Sequence, residues 1–161
     1  VAVTATHEEI PMHDVARCRT VELFLSALNT LDIAGLLAAV SDDFTLELQT
    51  APEGLPRAVT SKTAFREVMK GVTAMWAEFE LTRWAAYPVE SDRVVAEYAS
   101  RGKNLDGSDY RNTYLAMATV RNGKITRWQE FFDPAPFVRS AAIAAAIHQL
   151  DPLAAETQQC C

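Results

Sequence analysis

From His13 onward the chain switches between two hydrophobic periods, and the switches divide it into elements. Val21, Phe24, Leu25 and Leu28 follow the i, i+3, i+4, i+7 spacing of a helix face, with Asp14 placed to cap its start. Asn29-Thr30 breaks the pattern, Asp32 opens a second helix through Val40, and Ser41-Asp42-Asp43 ends it. Residues 44–49 then alternate strictly, which predicts a strand with one wet face. After a loop from Pro52 to Pro56, Ser61 caps a third helix reaching about Trp76. Its apolar stripe is Phe65, Val68, Met69, Val72, Met75 and Trp76.

Beyond that helix the period becomes two. Strands are predicted over residues 79–87, 93–103 and 110–120, and a fourth ends at Asp133. Asp106-Gly107 and Asn122-Gly123 are strong hairpin signals. Pro134 and Pro136 break the sheet, and an Ala-rich helix is predicted over residues 137–150. The expected fold is α+β, a cone-shaped curved antiparallel sheet with helices packed on its concave face. Residues 1–12 read as a flexible lead, 13–150 as a single domain and 151–161 as a polar tail.

Composition narrows the partners. With 161 residues, 49% hydrophobic and 22% charged, the chain suits one soluble folded domain. A formal net charge of −6 lacks the basic surface that counterion release from phosphates requires, so no nucleic acid is expected. No apolar run reaches the roughly 18 residues that span a bilayer, so no membrane is expected either. The first residues show no secretory signal, and Val1 in place of Met suggests a trimmed start. Cys18, Cys160 and Cys161 make no disulfide framework and point to a reducing, cytoplasmic setting. His7, His13 and His148 lack ligand spacing, so neither a metal nor another cofactor is expected.

On the last strand Trp128, Glu130 and Phe132 form the more apolar face and should point into the cone. Glu130 then sits between aromatic rings, where lost hydration raises a carboxyl pKa and favours proton transfer. A two-residue Asp106-Gly107 turn pairs Leu105 with Ser108 and Glu97 with Ala116. A three-residue Arg121-Asn122-Gly123 loop pairs Val120 with Lys124 and sets Tyr114 opposite Glu130. The inward set becomes Glu97, Ala99, Arg101, Asn112, Tyr114, Ala116, Trp128, Glu130 and Phe132. Two alternatives stay open: a two-residue Asn-Gly turn would turn Tyr114 outward, and Glu97 with Arg101 could be solvated strand residues. A buried Glu beside Tyr and Arg is also what a core ion pair looks like.

The element order, together with Asn122-Gly123-Lys124-Ile125 and Trp128-Gln129-Glu130-Phe131-Phe132-Asp133, resembles the SnoaL-like branch of the nuclear-transport-factor-two-like superfamily. The likeness spans about residues 13–140 and implies a cystatin-like cone; reactions across the superfamily differ. Arg101-Gly102-Lys103, Asn112 with Tyr114, and Glu130-Phe131 with Pro134 are similar to the phenazine-biosynthesis A/B proteins. That resemblance puts their catalytic acid at Glu130, while Val68 stands where their histidine falls. In limonene epoxide hydrolase the acid again corresponds to Glu130, with Glu97 and Ala99 at its Arg and second Asp. Leu48 stands where ketosteroid isomerases carry their base.

The resulting expectation is a cofactor-free enzyme that moves protons on a small hydrophobic metabolite of polyketide, steroid or terpene type. The reaction would be cyclisation, isomerisation, dehydration or epoxide opening. Glu130, Tyr114 and Glu97 are the candidate catalytic groups, with Arg101 and Asn112 orienting the substrate. Trp128, Phe132, Leu46, Leu48, Val68, Met69 and Trp76 are the expected pocket wall. A non-catalytic binding domain of the same fold is the alternative. Leu115, Met117 and Phe131 make the outward side of the sheet apolar, which suggests a homodimer through that face.

Overall fold

In a computed structural model of the chain, residues 11–139 are described. Helix α1 (Met12–Asn29) buries the apolar side of its stripe, Val21, Phe24 and Leu25. Pro11 rather than Asp14 holds its N-cap position, and Asp14 lies in the first turn, paired with Arg17. Helix α2 (Ile33–Ala39) starts after Asp32, whose side chain makes no capping hydrogen bond, and buries Leu36 and Leu37. Strand β1 (Val40–Leu48) begins four residues earlier than its alternation suggests, because Val40 already pairs with Ile125.

A three-residue strand, β2 (Ala58–Thr60), pairs antiparallel with β1 and has no clear sequence signal. The Ser61 side chain accepts from Ala64 N at 3.2 Å and caps α3 (Lys62–Ala74). The meander follows as β3 (Trp76–Pro88), β4 (Arg93–Asn104), β5 (Asp109–Arg121) and β6 (Lys124–Phe132). Sheet order is β2-β1-β6-β5-β4-β3, antiparallel throughout except for the parallel β1–β6 pair. Helix α4 (Ala135–Arg139) covers the described part of the last predicted helix. The lead up to residue 10, the rest of that helix and the tail lie outside the described residues, with His7, His148, Cys160 and Cys161.

Helices α1 and α3 pack on the concave side of the curved sheet, and the core forms between them. Phe24 meets Trp128 at 4.7 Å between ring centroids, and Phe44 meets Phe65 at 4.8 Å. Burying one such ring contributes roughly 1.5–3 kcal/mol. Among the described residues no helix is long and apolar enough to cross a membrane.

Two turns decide which side chains reach the concave side, and both depart from expectation. At the first, the chain makes a three-residue loop, Leu105-Asp106-Gly107, closed by Asn104 N donating to Ser108 O at 2.9 Å. Gly107 has φ +82°, a conformation that a residue without Cβ adopts at little cost. The extra loop residue shifts the pairing by one: Glu97 faces Leu115, Tyr98 faces Tyr114 and Arg101 faces Arg111. A shift of one exchanges the two faces of a strand. Glu97, Ala99 and Arg101 therefore leave the concave side, and Tyr98 and Ser100 take their places.

At the second, Asn122 (φ 50°) and Gly123 (φ 70°) form a two-residue turn with Arg121 paired to Lys124. Alone, that turn would send Tyr114 outward. A bulge between Thr119 and Val120 restores the parity, so Tyr114 faces Phe132 and Ala116 faces Glu130. Tyr114 and Glu130 share the concave face, two residues out of the expected opposition.

Candidate active site

A cavity of about 160 Å³ lies between the sheet and the helices. Leu46 and Leu48 line it from β1, since they pair with Trp128 and Glu130 and share their face. Val68 and Met69 line it from α3, and Trp76 from the start of β3. Strand β5 contributes Tyr114, and β6 contributes Trp128, Glu130 and Phe132. Tyr98 and Tyr110 complete the polar side. Among the described lining residues Glu130 is the one carboxylate, and there is no Lys, Arg or His.

Glu130 is held by one of its two oxygens. Tyr98 Oη and Trp128 Nε1, the latter at 2.8 Å, both donate to Oε2, and Oε1 carries no hydrogen bond from the described residues. Burial pushes the carboxyl above its ordinary 4.5, and the two donors pull back by stabilising the charged form. No cation neutralises it, so the core ion pair considered from sequence is absent among the described residues. Burial and the charge of Glu130 together push the Tyr98 phenol well above its usual value. Tyr98 therefore stays protonated and donates.

Tyr98 stacks on Tyr114, with centroids 4.5 Å apart and rings 8° from parallel. Tyr114 is half-buried, and its hydroxyl is within hydrogen-bond distance of Ser100 (3.1 Å) and Tyr110 (3.0 Å). Burial pushes its phenol up to about 12, against the pull of those two hydroxyls. Asn112 is buried and reaches the site indirectly, donating to Tyr110 Oη at 2.9 Å.

Glu97 and Arg101, expected inside, are exposed on the opposite face of the sheet. Arg101 pairs with Glu80 there, across the β3–β4 ladder. The three-residue loop is the physical reason for both corrections. Tyr98, Tyr110 and Ser100 are the polar groups that the sequence reading missed. A signal for the two on β4 exists: the charged Arg93, Glu97, Arg101 and Lys103 all fall on one parity, and Val94, Ala96, Tyr98, Ser100 and Gly102 make up the other. That alternation alone places Tyr98 inward.

The family model of the SnoaL-like domain matches residues 21–128. Among curated proteins, the uncharacterized protein YesE of Bacillus subtilis (strain 168) is 24% identical over 119 residues. The match covers 73% of this chain and 81% of the relative. Among solved structures, a phenazine biosynthesis-related protein from Pseudomonas aeruginosa superposes with a TM-score of 0.70 at 20% identity. It covers 88% of this chain and 90% of that one. A candidate polyketide cyclase from Xanthomonas campestris pv. campestris gives 0.68 at 20% identity, covering 81% and 98%. Identities this low establish the fold and leave the reaction to be argued from the site.

Proposed function

The chain belongs to the SnoaL-like domain family, and from that premise we propose that it is an enzyme of acid–base type. Glu130 carries the proton, and the substrate is a hydrophobic, uncharged, oxygen-bearing metabolite of polyketide, steroid or terpene type. The reaction belongs to the set of cyclisation, isomerisation, dehydration and epoxide opening. One observation carries the reading: a carboxyl in an apolar cavity has one oxygen fixed by two donors and the other unengaged among the described residues. A neighbour described as a candidate polyketide cyclase supports the polyketide member of that class.

The geometry suits proton transfer in either direction. Burial raises the Glu130 pKa and so favours its proton-carrying form, and the carboxyl can give or take a proton through Oε1. Tyr98 and Trp128 hold the carboxylate that remains, so its orientation survives the step. Tyr114 stands beside them to meet a substrate oxygen. A described lining without Lys, Arg or His disfavours charged substrates, because a desolvated anion would find no counter-ion there.

The test is turnover of a panel of such metabolites by the wild-type protein and Glu130→Gln. The variant should lose about 10²–10⁴-fold in kcat, the usual share of acid–base catalysis. Undiminished turnover refutes the assignment. A second reading, a ligand-binding domain without chemistry, is favoured by Glu130 being the one carboxylate among the described lining residues. It requires ligand affinity indifferent to Glu130→Gln and no turnover of any panel member. For the partner, Leu115 and Phe131 pair across strands and are 47% and 45% exposed on the outer face, which supports docking of a second copy there. Light scattering of Leu115→Lys and Phe131→Lys checks it.

A further inference from the structure

Three hydroxyls form a chain along the sheet side of the cavity. Ser100 Oγ lies 3.1 Å from Tyr114 Oη, and Tyr114 Oη lies 3.0 Å from Tyr110 Oη. Asn112 closes the far end, its Nδ2 donating to Tyr110 Oη at 2.9 Å. That amide cannot be reversed. Its Oδ1 accepts from Thr113 N at 2.8 Å and Asp133 N at 3.2 Å, and Nδ2 also donates to Asp133 O at 2.9 Å. Asn112 therefore gives a hydrogen to the chain and takes none.

Counting hydrogens gives a result that the heavy atoms alone do not. Each hydroxyl owns one hydrogen, so the chain holds three, yet only two hydroxyl–hydroxyl links exist to use them. One hydrogen is left over. At Ser100 it would be stranded: the residue is 4% exposed, does not line the cavity, and has no other partner among the described residues. At Tyr110 it would belong to a residue 2% exposed, whose ring is closed in by Trp76 (4.8 Å) and Phe137 (5.6 Å). Tyr114 is the half-buried member, lines the cavity and stacks on the ring that holds Glu130. The spare hydrogen is least costly there, with Ser100 and Tyr110 both donating to the Tyr114 oxygen.

We propose that Ser100, Tyr110 and Asn112 are positioning residues that free the Tyr114 hydrogen for a substrate carbonyl, so the site takes an uncharged, ring-sized ketone. This deepens the function proposed above and rests on its placement of substrate beside Glu130. Two hydrogen bonds accepted by a phenol polarise its O–H and strengthen the bond it donates. The size follows from the cavity: about 160 Å³ compares with the ~150 Å³ that admits a benzene ring.

Acetophenone labelled with ¹³C at its carbonyl is the probe, and the bound carbonyl resonance is the readout, since it moves downfield as the accepted hydrogen bond strengthens. Saturable binding is expected, with a downfield displacement that Tyr114→Phe abolishes. Tyr110→Phe and Ser100→Ala should each lose part of it although Tyr114 is intact, which a purely structural role for these hydroxyls would not produce. If one of this pair fails to fold, the other carries the test. No saturable binding, a displacement unchanged in Tyr114→Phe, or one indifferent to the folded feeding variants overturns the proposal. Glu130→Gln separates the two claims. A retained displacement with undiminished turnover refutes the role of Glu130 alone, and lost turnover without any wild-type displacement refutes the hydroxyl chain alone.

Discussion

Phe131 and Phe132 are neighbours in sequence and opposites in environment. Phe132 is 6% exposed and lines the cavity, while Phe131 is 45% exposed on the outer side of the same strand. Glu130 and Glu97 make the same contrast among acids: one is enclosed with Tyr98 and Trp128, the other stands in solvent. Residue type is equal in both pairs, so the difference in chemistry comes entirely from the face. An enclosed carboxylate loses hydration and holds its proton longer.

The contrast breaks most sharply in catalysis. Glu130→Gln should cut turnover about 10²–10⁴-fold, while Glu97→Gln should leave it unchanged; comparable losses in steady-state assays would erase the distinction. Stability is next. Phe132→Ala should cost about 3 kcal/mol, near the low end for such truncations because the cavity already leaves part of the ring without neighbours. Phe131→Ala should stay within about 0.5 kcal/mol in urea unfolding of the monomer.

A pH series then sharpens the acid pair. The Glu130 pKa is raised in the folded protein, so the native state binds a proton that the unfolded chain releases. The Glu130 contribution to the unfolding free energy falls as pH rises from the ordinary 4.5 through the raised value. Glu130→Gln should match wild type near the acid end and exceed it at alkaline pH, measured as urea midpoints. The smallest effect belongs to the outer ion pair. Arg101 and Glu80 side chains are 63% and 48% exposed, and Arg101→Ala should cost no more than about 1 kcal/mol in the same experiment.

The strands and helices were legible because their periods are long and clean, as in Val21, Phe24, Leu25 and Leu28, or Trp128, Glu130 and Phe132. The short β2 was not, since three residues carry no period and pairing with β1 alone defines them. The cavity wall was legible for the same reason as the strands. What escaped was the choice between Glu97 with Arg101 and Tyr98 with Ser100, which depends on whether a Gly-containing loop holds two residues or three. Asp-Gly announces a turn without giving its length. The alternation along residues 93–103 carries the missing information, because every charged side chain there falls on one parity and none on the other.

The bulge between Thr119 and Val120 has a consequence for descent as well as for shape. Deleting the extra residue on β6 that forms it, Thr126, or adding one to the adjacent turn, would put Tyr110, Asn112 and Tyr114 on the opposite face of the sheet from Trp128, Glu130 and Phe132. No substitution needs to occur for the two strands to stop sharing a site. Lineages of this protein can therefore change hairpin length on the meander only in compensating pairs.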